Sequence, residues 1–232
     1  MISFPRLTSF TKGFIGLLVV AFFVEVIAEG YLGVPISDAL SLHVGSLSVL
    51  TPAQVALHWL VCPPQALMPR FLDVVFAWWA IPPYEAQRGT KETVLVMVAG
   101  VLVSAALGLL VGVPLAAPLL WNGASGIYLA VMGAQTFRHR DQALLVFGQF
   151  PTTGRKLLGI LAGLVVVMAL TTLSVPGFLV ASATGLGALA GGVLVVLARS
   201  PRPGGGSSGG GRSSGPSLRV VRGGKAEERV LH

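Results

Sequence analysis

The stretch "TVLVMVAGVLVSAALGLLVGVPLAAPLLWNGASGIYLAVMGAQTF" runs from Thr93 to Phe137 without one Asp, Glu, Lys or Arg. A second charge-free run extends from Leu157 to Ala198. A helix needs roughly 20 apolar residues to cross a bilayer, so each run is long enough. The remaining composition agrees. Of 232 residues, 53% are hydrophobic and only 11% charged, and the mean hydropathy is +0.80. A soluble domain of this size carries far more charged surface. The sequence is that of an integral membrane protein.

Working outward from the charge-free runs, six apolar spans are expected. They are Gly13–Ala28, Leu67–Tyr84, Thr93–Val113, Gly123 to about Phe137, Leu157–Leu173 and Phe178–Ala198. The first follows Arg6 and Lys12 as a signal peptide would, but it carries Glu25 and lacks a small-residue cleavage pattern. Breaks are expected at Pro82-Pro83, Pro114, Pro151 and Pro176-Gly177. With six spans every basic cluster falls on one side: Arg6 and Lys12, then Arg88 and Lys91, then Arg138, Arg140, Arg155 and Lys156, then Arg199 and Arg202. The opposite connections hold only Glu29 and Asp38. By the positive-inside rule both termini are cytoplasmic. The basic residues are thus topological, and the net charge of +7 implies no nucleic-acid partner.

Cys62 is the single cysteine, which excludes an internal disulfide. His43, His58, His139 and His232 show no metal-ligand spacing. No metal and no cofactor is expected.

The connection after the first span, "YLGVPISDALSLHVGSLSVLTPAQVALHWLVCPPQA", is long for a membrane bundle. Within it a short helix is expected, capped by Thr51 with Pro52 at its first position. Val55, Leu57, Trp59 and Leu60 would lie in the outer headgroup region. At the other end, residues 199–232 begin "RSPRPGGGSSGGGRSSGPS", a flexible cytoplasmic tail appended to a transmembrane domain of residues 1–198.

These residues resemble the rhomboid superfamily of intramembrane serine proteases and their inactive relatives. "GASG", Gly123 to Gly126, resembles the family's GxSG motif at the start of span four. "FLDVVFAWWAIPPYEAQRGTKETVLVMV" is similar to the second span, with Glu85 and then Gly89. "ATGLGALAGGVL" is similar to the sixth, with Gly187 and Gly191 at the two glycine positions. The resemblance covers residues from about Gly13 to Ala198. It implies an all-α, six-transmembrane-helix rhomboid-like bundle, Ser125 as the nucleophile position, and structural roles for Gly123, Gly126, Glu85, Gly89, Gly187 and Gly191.

The departures concern chemistry. The family's catalytic histidine lies three residues before the first glycine of span six, and here that position is Thr184. The oxyanion-hole motif HxxxN of span two falls on Pro69 and Asp73. Serine is a poor nucleophile without a neighbouring base, and threonine is none near neutral pH. Each lost oxyanion donor costs roughly two to three orders of magnitude in rate. Proline donates nothing, and an ionised Asp73 repels a developing oxyanion.

Several residues carry two readings. Ser125 is either a nucleophile or a small residue at a helix interface, where Gly, Ala and Ser let backbones approach. Gly126, Ala130 and Ala134 form such a stripe in span four, and Gly187 and Gly191 form another in span six; the two are expected to pack together. His43 and His58 on the outer loop are the two candidates for a displaced base. His139 lies at the wrong end of span four. Arg70 and Asp73 suit a local ion pair, and Glu85 with Arg88 suits an anchor at the cytoplasmic end of span two. Glu25 is left with three roles: an interfacial acid, a protonated one, or a contact for a client helix.

The expected function is that of a multi-pass, rhomboid-like pseudoprotease in a plasma or inner membrane. Its partners would be the lipid bilayer and transmembrane segments of client proteins, met between spans two and five or around Trp59. The alternative is an active intramembrane serine endopeptidase with Ser125 and a displaced base. A transporter is disfavoured, since the chain lacks inverted-repeat symmetry.

Overall fold

The computed structural model describes residues 6–146 and 150–200. Eight α-helices follow one another among these residues, with two short antiparallel strand pairings between them. The tail from residue 201 onward lies outside the described residues.

The first helix, α1 (Ser9–Gly30), begins where the Thr8 hydroxyl accepts the amide of Thr11. The long connection then forms α2 (Ile36–Leu40), β1 (Leu42–His43) and α3 (Thr51–Leu57). Thr51 does not cap α3 as expected. Leu50 holds the cap position, its carbonyl accepting the Gln54 amide at 2.9 Å, and the Thr51 hydroxyl accepts the amide of Ser48 instead. Trp59 and Leu60 lie beyond the end of α3. Trp59 stacks on Phe14 of α1, with ring centroids 5.8 Å apart.

α4 (Leu67–Arg88) and α5 (Thr90–Gly112) are joined by Gly89 alone, at φ +78°. The expected break at Pro82-Pro83 is absent: both prolines lie inside α4, which runs on to Arg88. Each forfeits an amide bond to the carbonyl four residues earlier, but the packed helix continues past them and Gly89 ends it instead. β2 (Leu120–Trp121) pairs antiparallel with β1, Leu42 opposite Trp121, and so ties the outer loop to the approach of α6 (Ser125–Arg138). Between α6 and α7 (Gly154–Ala169) lie β3 (Ala143–Val146) and β4 (Phe150–Thr153), paired antiparallel. The fold is therefore mostly helical rather than all-α. A single 3-10 turn, Leu170–Thr172, prolongs α7. α8 (Val175–Arg199) starts at the Ser174 hydroxyl, which accepts the Gly177 amide. Pro176 and Gly177, expected as a break, instead form the first turn of α8, where proline costs nothing.

Among the described residues four helices are long and apolar enough to cross a membrane: α1, α5, α7 with its 3-10 turn, and α8. α4 has the length without the hydropathy, and α6 has only 14 residues. α6 packs against α4, α5, α7 and α8. Its Ala124, Ile127, Ala130, Val131 and Ala134 join Leu18, Ile81, Tyr84 and Val96 in the main core. Leu17, Val20, Phe23 and Ile27 of α1 and Ile160, Leu164 and Val167 of α7 face outward, as lipid-facing residues do.

The two small-residue stripes do not meet as expected. A Cβ on Gly187 would stand 3.1 Å from the carbonyl oxygen of Val103, and one on Gly191 2.7 Å from that of Ala99, both in α5. Gly126 also turns toward α5, with Ser104 at 3.7 Å. The α6–α8 seam is made by Gly192 against the backbone of Ala130, the one stripe residue of α6 that meets α8 there, and by Gly133 against Leu189. Residues 187 and 191 share a helix face, and residue 192 lies about 100° further round. Sequence spacing shows such faces without showing which neighbour each one meets.

Candidate functional site

The GASG loop turns into α6 through Gly123, whose φ of +88° only glycine adopts readily. Three acceptor groups from two segments hold it. The Gly123 amide donates to the carbonyls of His58, at 3.1 Å, and Val61, at 2.9 Å. The next amide, of Ala124, donates to Asp73 Oδ2 at 3.0 Å. That oxygen also lies 3.2 Å from where a Cβ on Gly123 would stand. Ser125 is half-buried, and its hydroxyl makes no hydrogen bond among the described residues.

Asp73 is itself held. Arg70, one turn earlier on α4, places NH1 3.8 Å from Asp73 Oδ2, with both side chains buried. The expected local ion pair is present. Its reach is wider than sequence spacing implied, because Arg70 NH2 also donates to the Leu60 carbonyl. Pro69 is exposed in the first turn of α4, where its missing amide is not needed.

Glu25 has a definite place: its Oε2 accepts the Cys62 amide at 2.8 Å, and the carboxylate is buried. Segment 58–62 is thus gripped by Glu25 from α1, by Arg70 from α4 and by Gly123 from the loop before α6. This run of contacts connects α1 to the serine loop. Sequence spacing could not reveal it, because its partners lie far apart in the chain and use backbone groups.

Thr184 is fully buried, and its hydroxyl donates to the carbonyls of Val180 and Ala181, each at 3.0 Å. Its methyl packs on Gly108 of α5. Of the two outer histidines, His43 Nε2 donates to the Asp38 carbonyl at 2.9 Å. It also lines an outer cavity with Gly45, Ser46 and residues 116–120, a cavity that does not include Ser125. His58 is buried, and its Nδ1 donates to the carbonyls of Gln54 and Val55, each at 3.1 Å. Burial holds its imidazole below the usual histidine range.

At the opposite end of the bundle Glu85 does not pair with Arg88, which is exposed. Glu85 accepts hydroxyls from Thr8, Thr11 (3.1 Å) and Thr90 (2.8 Å), joining α1, α4 and α5. The charge that gathers helix ends is Glu92, which sequence reasoning passed over. It accepts from Tyr84 at 2.9 Å and Arg138 at 2.7 Å, and it pairs with Arg199 at 3.5 Å. Its one legible signal is an acid in the first turn of a helix, directly after Gly89.

A family model described as "Rhomboid domain" matches residues 71–202. No curated protein matches the chain, and no solved structure does.

Proposed function

The chain belongs to the rhomboid family, and from that membership we propose that it is a six-span member, both termini cytoplasmic, which has lost proteolysis and binds transmembrane segments of client proteins. The observation that carries this reading is the hydrogen bond from the Ala124 amide to Asp73. Acyl transfer at Ser125 needs free donors aimed at the developing oxyanion. Here a resident carboxylate occupies an amide of the serine loop, and it brings charge of the wrong sign. The inward-turned hydroxyl of Thr184 supports the same reading, since it leaves no base in α8.

The six-span count is supported by how α4 and α6 are accommodated. Three of the four charges of α4 are met internally, by the Arg70–Asp73 pair and by threonines on Glu85. α6, of 14 residues, is about 21 Å long, and the loop before it completes the crossing within a shell of other helices. The client seam is supported by the packing of α4 and α7 on opposite sides of α6, with no substantial contact to each other among the described residues. At that seam Phe76 of α4 stacks on Tyr128 of α6, with centroids 5.1 Å apart.

The test pairs two measurements on the protein in liposomes. A fluorophosphonate probe is expected to leave Ser125 unlabelled beside an active rhomboid that labels. Photo-crosslinkers at Leu72 and Phe76 are expected to capture transmembrane proteins. Labelling abolished by Ser125→Ala would overturn the inactive reading, and failure to capture any membrane protein would overturn the client reading. One contact favours the alternative, an active protease: the His58 carbonyl holds Gly123, which brings that residue to the serine loop. Under that alternative His58→Ala abolishes the labelling while His43→Ala does not.

A further inference from the structure

Residues 58–62 follow α3 without joining any helix or strand, yet His58, Val61 and Cys62 are buried. Irregular backbone in a protein interior must find its hydrogen-bond partners somewhere. The Leu60 and Val61 amides close local turns onto the Leu57 and His58 carbonyls. Other groups draw on three elements distant in the chain. The Cys62 amide donates to Glu25 of α1 at 2.8 Å. The Leu60 carbonyl accepts from Arg70 of α4. The carbonyls of His58 and Val61 accept the Gly123 amide, two residues before Ser125. Trp59 adds a second hold on α1 by stacking on Phe14. The segment is a strap, with α1 at one edge and the serine loop at the other.

The placement of α1 suits it to move that strap. Among the described residues α4 and α2 are the helices on which α1 packs substantially, and α6 is not one of them. Its N-terminal end is pinned where Thr8 and Thr11 donate to Glu85. Leu17, Val20, Phe23, Val24 and Ile27 are exposed along its length, so no described neighbour opposes a swing toward that side. Glu25 stands 14 residues beyond Thr11, about 21 Å along the axis. A swing of about 5° about the pin carries Glu25 about 2 Å, out of hydrogen-bond reach of an amide now at 2.8 Å. A buried amide left without an acceptor is costly, so the strap follows α1. The strap then draws on the two carbonyls that hold Gly123, whose turn places Ser125 at the start of α6.

We propose that α1 and the strap 58–62 form a lever on the serine loop: the position of α1 sets how far Ser125 is open to water. Glu25 is the positioning residue, and it acts on Ser125 only through the Cys62 amide and the carbonyls of His58 and Val61. Neither the client reading nor the protease alternative is a premise of this.

The test uses the full chain in liposomes. Ser125→Cys in a Cys62→Ser background is reacted with a charged, water-soluble thiol reagent, and the rate reports the exposure of the serine loop. Glu25→Ala removes the acceptor on α1 and is expected to raise that rate about fivefold or more, the equivalent of one lost buried hydrogen bond. Glu25→Gln keeps an acceptor oxygen and is expected to stay near the parent. Glu29→Gln, one turn further along α1, bears on the Ser37 amide of α2 and not on the strap, and it is expected to stay near the parent too. Glu25→Thr takes the place of Glu25→Ala should that variant not fold. Coupling is reciprocal. Read from the other edge, Gly123→Ala is expected to make the native Cys62 reactive, which is buried in the parent. A Ser125→Cys rate unchanged by loss of the Glu25 acceptor overturns the lever, even if Cys62 itself becomes reactive. An equal rise with Glu29→Gln shows general loosening and overturns it as well, as does a Cys62 left unreactive by Gly123→Ala.

Discussion

Gly89 and Gly123 both hold positive φ, at +78° and +88°, yet substitution should separate them. Nothing lies within 4 Å of a Cβ on Gly89, whereas one on Gly123 meets Asp73 Oδ2 at 3.2 Å. Gly89→Ala should cost only the backbone strain of a positive φ with extended ψ (+78°, 162°), about 1–3 kcal/mol. Gly123→Ala should cost more and also weaken the Ala124–Asp73 hydrogen bond. Unfolding in mixed micelles measures both, and equal losses would show that the Asp73 contact contributes nothing. His58 gives a pH prediction. Its native pKa lies below the unfolded value, so between the two values the unfolded chain binds a proton that the native protein does not. That destabilises the native protein as pH falls through about 6.5 toward the native pKa. The melting temperature should therefore drop on acidification from pH 7.5 to 5.5, and His58→Gln should make that drop smaller. An unchanged drop would place the titration elsewhere. The positions of these glycines were legible as a motif. Their reasons were not, because Asp73 and the His58 carbonyl come from distant parts of the chain.

The glycines of the helices sort by what a methyl group would meet. A Cβ on Gly192 would lie 1.9 Å from the Ala130 carbonyl oxygen, while Gly159 in α7 has nothing within 4 Å. Gly192→Ala forces two helix backbones apart and should cost more than about 2 kcal/mol, in the range of overpacked cores. Gly159→Ala should be neutral or stabilise by up to about 1 kcal/mol through helix propensity. Thermal unfolding of the two variants beside the parent distinguishes them, and similar behaviour would mean that the α6–α8 seam is loose. Ser104 belongs to the same α5 face. It is fully buried between Gly126 and Gly187, and its hydroxyl has no partner among the described residues. Ser104→Ala should be neutral or mildly stabilising, because it removes a buried unsatisfied group. Helix existence and order could be read from apolar runs. Pairings could not: Gly187 and Gly191 looked suited to span four and in fact face span three.

Across the whole molecule, charge is sorted between two ends. Glu92 gathers Tyr84, Arg138 and Arg199 from α4, α6 and α8 at one end. At the other, Glu25, Arg70 and Asp73 fasten segment 58–62 and the serine loop. Glu92→Gln should lower stability by about 2 kcal/mol, the scale of a hydrogen-bonded charge, chiefly through Arg138. A double-mutant cycle with Arg138→Met should show coupling between them. Additive losses would mean that the helix ends are held by packing alone.

The sequence by itself determined that this chain lives in a membrane, which runs are apolar, where its basic residues fall, and that it resembles rhomboids. These properties follow from local composition and spacing, since lipid solvation acts on each segment independently. Tertiary structure alone decided that Asp73 takes an amide of the serine loop, that Glu25 grips Cys62, that Glu92 gathers helix ends, and that each glycine face meets its particular neighbour. Those contacts join residues remote in the chain, often through backbone atoms, and no pattern along a single strand of sequence records them.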